Sequence, residues 1–205
     1  MNDNEIKVIL LGNSGVGKTS LINTCIPNNY DREQENIPTL SSYYIQKKIE
    51  LEDKIYILNL WDTAGQEAYL GITKLFFKGS EIIIFVYDIC AKNSFKDLDK
   101  WIQMTEEIIE NKHICAIIGN KNDLYLEAQI KEEEGKKFAE SKQFKFKLVS
   151  AKTDPKGFND FLEELVREYK DKLDNPMNKR RKSVKLKETP KETTKEKTKN
   201  SRCCG

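Results

Sequence analysis

Gly12-Asn13-Ser14-Gly15-Val16-Gly17-Lys18-Thr19 has the residue types and spacing needed to hold a chain of phosphates. The pattern is G-x-x-x-x-G-K-[ST], whose glycines let successive backbone N–H groups turn inward and form an anion nest. The mostly apolar run Ile6 to Leu11 precedes it and reads as a buried strand, and Thr19 to Cys25 can start a helix. A helix N-terminus at that point adds the positive end of its dipole. Lys18 would reach the β- and γ-phosphates, and the Thr19 hydroxyl would complete a Mg²⁺ shell. A glycine-rich turn matching by chance is the competing explanation. The strand–loop–helix order argues against it.

A phosphate loop does not choose a base. The residues that could do so are Asn120-Lys121-Asn122-Asp123, directly after the apolar run Ile114 to Gly119. A carboxylate accepts two parallel hydrogen bonds from the N1–H and exocyclic amine of guanine. Adenine offers no such donor pair, so Asp123 would select against ATP, and the cost of an unpaired buried carboxylate makes the selection strong. Asn120 would accept from or brace the loop, and the Lys121 stem can lie flat over the purine. Asn and Asp are also common turn residues, so the tetrapeptide alone is a weak signal. Ser150-Ala151-Lys152, after the candidate strand Phe144 to Val149, reinforces it. Its backbone amides could contact the guanine carbonyl.

Between these segments lies Trp61-Asp62-Thr63-Ala64-Gly65-Gln66-Glu67, following the alternating stretch Ile55 to Leu60. Asp62, at a strand end, fits an acidic residue that holds Mg²⁺ through water. Gly65 permits close approach of its N–H to a γ-phosphate. Gln66 can orient a water in line with the β–γ bond. A solvated polar side chain is the ordinary role of Gln, and position within the motif favours the catalytic role here.

With these motifs in order, the chain resembles the Ras-like small GTPases, and among them the Rab family, over about residues 6 to 173. The resemblance implies a P-loop nucleotide fold, Mg²⁺ as cofactor and GTP or GDP as ligand. It places Ser14, Gly15, Val16, Gly17, Lys18, Thr19 and Ser20 around the phosphates. Thr39 becomes the threonine that contacts Mg²⁺ and the γ-phosphate only in the triphosphate state. Tyr30 falls where the family sets an aromatic against the guanine. Tyr44, Trp61 and Phe76 fall on the hydrophobic triad that Rab-like proteins show to partners. Those partners are an exchange factor, a GTPase-activating protein, effectors, and prenylation, escort and dissociation-inhibitor proteins, with the GTPase itself a monomer. Where Rab proteins usually carry Ile-Gly after the threonine, this chain has Leu40-Ser41-Ser42-Tyr43-Tyr44, and Ala68-Tyr69 replace the usual Arg-Phe. The segment from Lys18 to Thr39 is also slightly long. These departures lie on the partner-facing switches and remove no phosphate, magnesium or guanine contact.

Positioning such motifs takes alternating elements. Strands are expected at 5–11, 43–49, 55–60, 82–88, 114–119 and 144–149, and helices at 18–26, 67–77, 94–110, 132–141 and 157–173. The run Ile82 to Tyr87 suits a central parallel strand covered on both faces. Trp101, Met104 and Ile108 recur at helical spacing and read as core. The result is a doubly wound, mostly parallel six-stranded α/β sheet with helices on both faces and ligand loops at the carboxyl ends of strands. Strands 43–49 and 55–60 form a hairpin through Glu52-Asp53-Lys54, contributing one antiparallel strand.

One domain is the default for 205 residues. No run reaches the ~18 apolar residues of a membrane span, and Met1-Asn2-Asp3-Asn4-Glu5 lacks a signal peptide's pattern. Five cysteines (25, 90, 115, 203, 204) make no disulfide framework, so reduced thiols in a cytosolic protein are the simpler reading. The single histidine, His113, excludes a His-based metal cluster or triad and reads as a loop residue.

Composition changes near Asn175-Pro176, which stops the preceding helix. This divides the chain into a GTPase domain, 1–174, and a basic tail, 175–205. The tail holds eleven Lys or Arg against three Glu, net +8; subtracting that from the chain's +2 leaves −6 for the domain. An acidic domain argues against nucleic acid as a partner. The tail has too few apolar residues to order itself. It ends in Arg202-Cys203-Cys204-Gly205, and the paired cysteines resemble a Rab double-geranylgeranyl site rather than a C-a-a-X box.

Two functions remain open at this point. One is a GTP-hydrolysing switch on the cytoplasmic face of intracellular membranes, with a cytosolic pool, recruiting effectors in vesicle trafficking. The other is a nucleotide-locked, membrane-tethered scaffold with little GTPase activity.

Overall fold

The computed structural model describes residues 4–26, 43–62, 77–106 and 113–174. The chain divides into a unit of residues 1–170 and a second unit from 171 onward. The first unit contains the entire sheet; in the second, only 171–174, the last turn of a helix, is described.

Six strands form one sheet: β1 (Glu5–Leu11), β2 (Tyr43–Leu51), β3 (Lys54–Asp62), β4 (Ile82–Asp88), β5 (Ile114–Asn120) and β6 (Lys145–Leu148). Their order is β2-β3-β1-β4-β5-β6, with only the β2–β3 pair antiparallel. The expected hairpin is present. Glu52 and Asp53 turn it with φ of 48° and 62°, the two successive left-handed residues of a type I′ turn, whose twist matches its strands.

Strand β4 is buried along all seven residues, as its apolar run requires. Its side chains alternate between two cores. Ile82, Ile84 and Val86 join the core beneath α1 (Lys18–Asn23) and the last helix, while Ile83, Phe85 and Tyr87 join the other. That last helix, Pro155–Asp174, buries Phe158, Phe161, Leu162, Leu165 and Val166, the i, i+3, i+4, i+7, i+8 stripe of an amphipathic helix. Each such side chain contributes roughly 1.5–3 kcal/mol by leaving water. The opposite face is covered by Leu98, Trp101 and Ile102 and by Ala139. The sheet is therefore doubly wound.

The helix expected over 94–110 is divided within its described part. Lys92–Lys96 forms α2 and Leu98–Glu106 forms α3, with Asp97 between them. The Asp97 carboxylate accepts from Asn13 and pairs with Lys100. The Asp97 backbone carbonyl accepts from the Lys100 and Trp101 amides, so Asp97 marks the corner as the residue that opens α3. The remaining helices are α4 (Glu132–Ser141) and α5 (Pro155–Asp174). Helix α1 ends at Asn23, not at residue 26, with Thr24 and Cys25 forming a turn. Most of the helix expected over 67–77 lies outside the described residues.

Parallel pairing points the carboxyl ends of β1, β3, β4, β5 and β6 toward one edge. The chain leaves β1 for β3 on one side and β4 on the other, so the loop after β1 lies where the winding reverses. Crevices at such switch points are where α/β sheets bind ligands.

Candidate functional site

The loop after β1 needs its glycines for stated reasons. Gly12, Gly15 and Gly17 take φ of 149°, 80° and 92°. A Cβ on Gly12 would stand 2.1 Å from the Val86 carbonyl oxygen, and one on Gly17 2.3 Å from Asn120 Nδ2. Both approaches are closer than any side chain permits. The loop is thus pressed against β4 on one side and β5's last residue on the other.

Lys18 opens α1 and turns back under the loop. Its Nζ donates to the carbonyls of Gly12 at 2.8 Å and Asn13 at 3.0 Å, and the side chain is only slightly exposed. Burial lowers its pKa from 10.5 to about 8, with the Asp62 carboxylate opposing that fall. Between those values the unfolded chain binds more protons at this group than the folded one does. Stability of the nucleotide-free protein should therefore rise with pH from about 8 to 10.5, by roughly 3 kcal/mol at most from Lys18. Urea unfolding across that window should show the rise in the parent and lack this component in Lys18→Met. Identical pH profiles for the two proteins would contradict the assignment.

Thr19 Oγ1 donates to Asp62 Oδ2 at 2.7 Å, joining the first turn of α1 to the end of β3. Asp62 is fully buried. A hydroxyl and a carboxylate beside a phosphate loop are the hard oxygen donors that Mg²⁺ takes, together with phosphates and waters. The donor set fits that ion.

At the far end of the site, Asn120 acts as a brace. Its Nδ2 donates to the Val16 carbonyl at 2.9 Å, and its Oδ1 accepts from the Ala151 amide at 3.2 Å. One side chain, 1% exposed, thus ties the phosphate loop to the loop after β6. Asp123 is the second residue of a 3₁₀ turn, Asn122–Glu127, and its Oδ1 accepts from Ser150 Oγ at 2.6 Å. Ser150 Oγ in turn accepts from the amides of Lys152 and Thr153. The Ala151 and Lys152 amides, expected to face a base carbonyl, are thus engaged by Asn120 Oδ1 and Ser150 Oγ respectively. Lys121 has φ of 67°, and its Nζ pairs with Asp88 Oδ2 at 2.8 Å.

Two sequence positions miss their importance when read alone. Asp88 ends β4 and anchors Lys121, yet no motif marks it. Asn13, an unspecified position of the glycine motif, donates through Nδ2 to Asp97 Oδ2 at 2.7 Å and accepts from Trp101 Nε1 at 2.9 Å. Trp101 is buried in the core as its spacing suggests, and its polar edge also reaches the loop. Among the expected partner-facing residues, Tyr44 is 50% exposed and stacks on Trp61 with centroids 4.9 Å apart. Lys7 Nζ lies 5.1 Å from the centroid of the same indole. Tyr30, Thr39, Gly65, Gln66, Phe76, Cys203 and Cys204 lie outside the described residues.

The Ras family model matches residues 7–171. The chain belongs to the Ras family. Its relatives within that family are Rab-like. It is 35% identical over 164 residues to Ras-related protein Rab-17 of Mus musculus, covering 78% of this chain and 75% of that one. Against Ras-related protein Rab-17 of Homo sapiens it is 34% identical over 164 residues, with 78% and 76% covered. Against Ras-related protein Rab-11B of Dictyostelium discoideum it is 34% identical over 148 residues, covering 71% and 65%. As a Rab-like small GTPase, it carries the P-loop nucleotide fold that its sheet order and glycine loop display.

Proposed function

We propose that this chain is a GTP-binding switch that hydrolyses GTP to GDP and recruits effectors in intracellular membrane trafficking. The observation that carries the reading is the placement of three groups on one sheet edge: a glycine loop over a buried Lys18, the Thr19–Asp62 pair, and Asp123 braced by Ser150. In this reading Ser14 to Ser20 surround the phosphates with backbone amides and the α1 N-terminus. Asp123 accepts from the guanine N1–H and amino group, with Asn120, Lys121 and the 150–152 loop framing the base and Tyr30 against it. Thr19, Thr39 and Asp62 are the residues that would hold Mg²⁺, which would supply positive charge to offset the negative charge of the phosphates. Lys18 stabilises charge as the γ-phosphoryl leaves, and Gln66 orients the attacking water. Gly65 and Thr39 meet the γ-phosphate, so the surface they present differs between the two nucleotide states. Turnover is slow alone, and an arginine from an activating protein would raise it about 10³–10⁵-fold.

Residues 1–174 act as the GTPase domain and 175–205 as its basic tether. The protein works as a monomer with an exchange factor, an activating protein, effectors, and escort and dissociation-inhibitor proteins, and meets no nucleic acid. Effectors read Tyr44, Trp61 and Phe76. No helix among the described residues is long and apolar enough to cross a membrane, so attachment falls to prenyl groups on Cys203 and Cys204. Each buried CH₂ adds roughly 0.8 kcal/mol, and two chains hold where one is marginal. Lys179, Arg180, Arg181 and Lys182 add up to about 1 kcal/mol each near an anionic leaflet. Replacing both cysteines with Ser should move the protein from the membrane to the cytosolic fraction with nucleotide binding intact. Retention on membranes would contradict the anchor.

The reading as a whole is tested by displacement of fluorescent GDP from the purified protein. GDP and GTP should compete tightly in Mg²⁺, and ATP should fail at a hundredfold excess. Equal competition by ATP would remove the guanine assignment.

A further inference from the structure

The phosphate loop is fastened from a third side that nucleotide chemistry does not require. Asn13 sits between the two glycines' approaches to the sheet, and its side chain points away from the loop toward the α2–α3 corner. Both ends of its amide are engaged. Nδ2 donates to Asp97 Oδ2 at 2.7 Å, and Oδ1 accepts from the Trp101 indole N–H at 2.9 Å. The orientation is chemically determined, since a reversed amide would set oxygen against carboxylate and nitrogen against the indole donor. Asp97 is held in turn by Lys100, whose Nζ lies 2.5 Å from Oδ1. Trp101 is 4% exposed and packed in the core, so it cannot follow a moving loop. The backbone carbonyl of this same Asn13 receives Lys18 Nζ at 3.0 Å.

We propose that Asp97 and Trp101 are positioning residues for nucleotide retention, acting through Asn13 on the peptide that holds Lys18. The inference rests on the reading of this loop as a phosphate site. It adds an element far in sequence, the α2–α3 corner, to the groups that set how long a nucleotide stays. Neither residue touches the nucleotide. Each removes freedom from the loop before the nucleotide arrives, and a preformed nest loses less order on binding. A protein that displaced this corner would loosen bound nucleotide without entering the site.

The test is a double-mutant cycle read as dissociation of fluorescent GDP, chased with unlabelled GDP in Mg²⁺. Asn13→Asp sets a second carboxylate against Asp97 and should speed dissociation about tenfold or more. Asp97→Asn keeps an acceptor for Asn13 and should change the rate only a few-fold. Combining the two reverses the polarity of the bond, with the introduced amide donating to the introduced carboxylate and Trp101 still donating to the latter. The combined variant should return to within about threefold of the parent, a coupling that independent sites do not show. Trp101→Phe, which keeps the buried ring and loses the donor, should also speed dissociation. The Trp101 indole proton resonance should move upfield in Asn13→Ala while that of Trp61 stays in place. Dissociation from the combined variant as fast as from Asn13→Asp, or an unmoved Trp101 resonance, would overturn the proposal. A parent that holds GDP tightly alongside variants with parental rates removes this inference alone. A parent that does not hold GDP removes the functional reading and this inference together.

Discussion

Asp123→Asn should weaken GTP binding by about 10²–10³-fold and bring xanthine nucleotides into the site, which the parent excludes. In the proposed pose two charge-assisted hydrogen bonds to guanine are lost, and the amide's own donor is turned against the guanine amino group. Ser150 makes the outcome directional. Its hydroxyl donates to Oδ1 at 2.6 Å, so the amide oxygen is held there and the amide nitrogen takes the place of Oδ2. A donor at that place pairs with the 2-carbonyl of xanthine. Competition binding with GDP and xanthosine diphosphate on parent and variant checks both halves. Unchanged GDP affinity would mean that Asp123 does not meet the base.

Gln66→Leu should leave GTP binding nearly unchanged and slow single-turnover hydrolysis by about 10- to 100-fold. The task proposed for this side chain is orientation of water, and loss of orientation alone costs on that order. A fall in rate without a fall in affinity is the mark of an interaction made only in the transition state. An unchanged rate would take Gln66 out of the mechanism. It would also favour a nucleotide-locked scaffold.

The geometry of the candidate site was legible where its residues lie close together in sequence. Gly12 to Thr19 supplies loop, lysine and hydroxyl within one turn of chain, and the glycines adopt the positive φ their spacing implies. Strand β4 was legible because a parallel strand covered on both faces has no polar side to confuse the pattern. What escaped was set by pairs distant in the chain. Nothing in Asp97 or Asp88 marks a role, since an Asp at a helix corner or strand end is ordinary. Their meaning comes from Asn13 and Lys121, brought to them by the sheet order. Trp101 read correctly as core, and its indole N–H added a second role that periodicity does not encode. Asn120 was expected to brace, and the structure specifies how, through Val16 and Ala151. The helix expected from 94 was given no corner because Asp97 differs little from any exposed helical acid until its partner is known.

Single-turnover hydrolysis of GTP by the purified full-length protein tests the central claim most directly. GTP loaded in the presence of Mg²⁺ should convert to GDP slowly, in one exponential phase, with the released phosphate equal to the bound nucleotide, and EDTA should abolish the conversion. GTP that remains intact on the protein in Mg²⁺, while GDP and GTP both bind tightly, would contradict a hydrolysing switch.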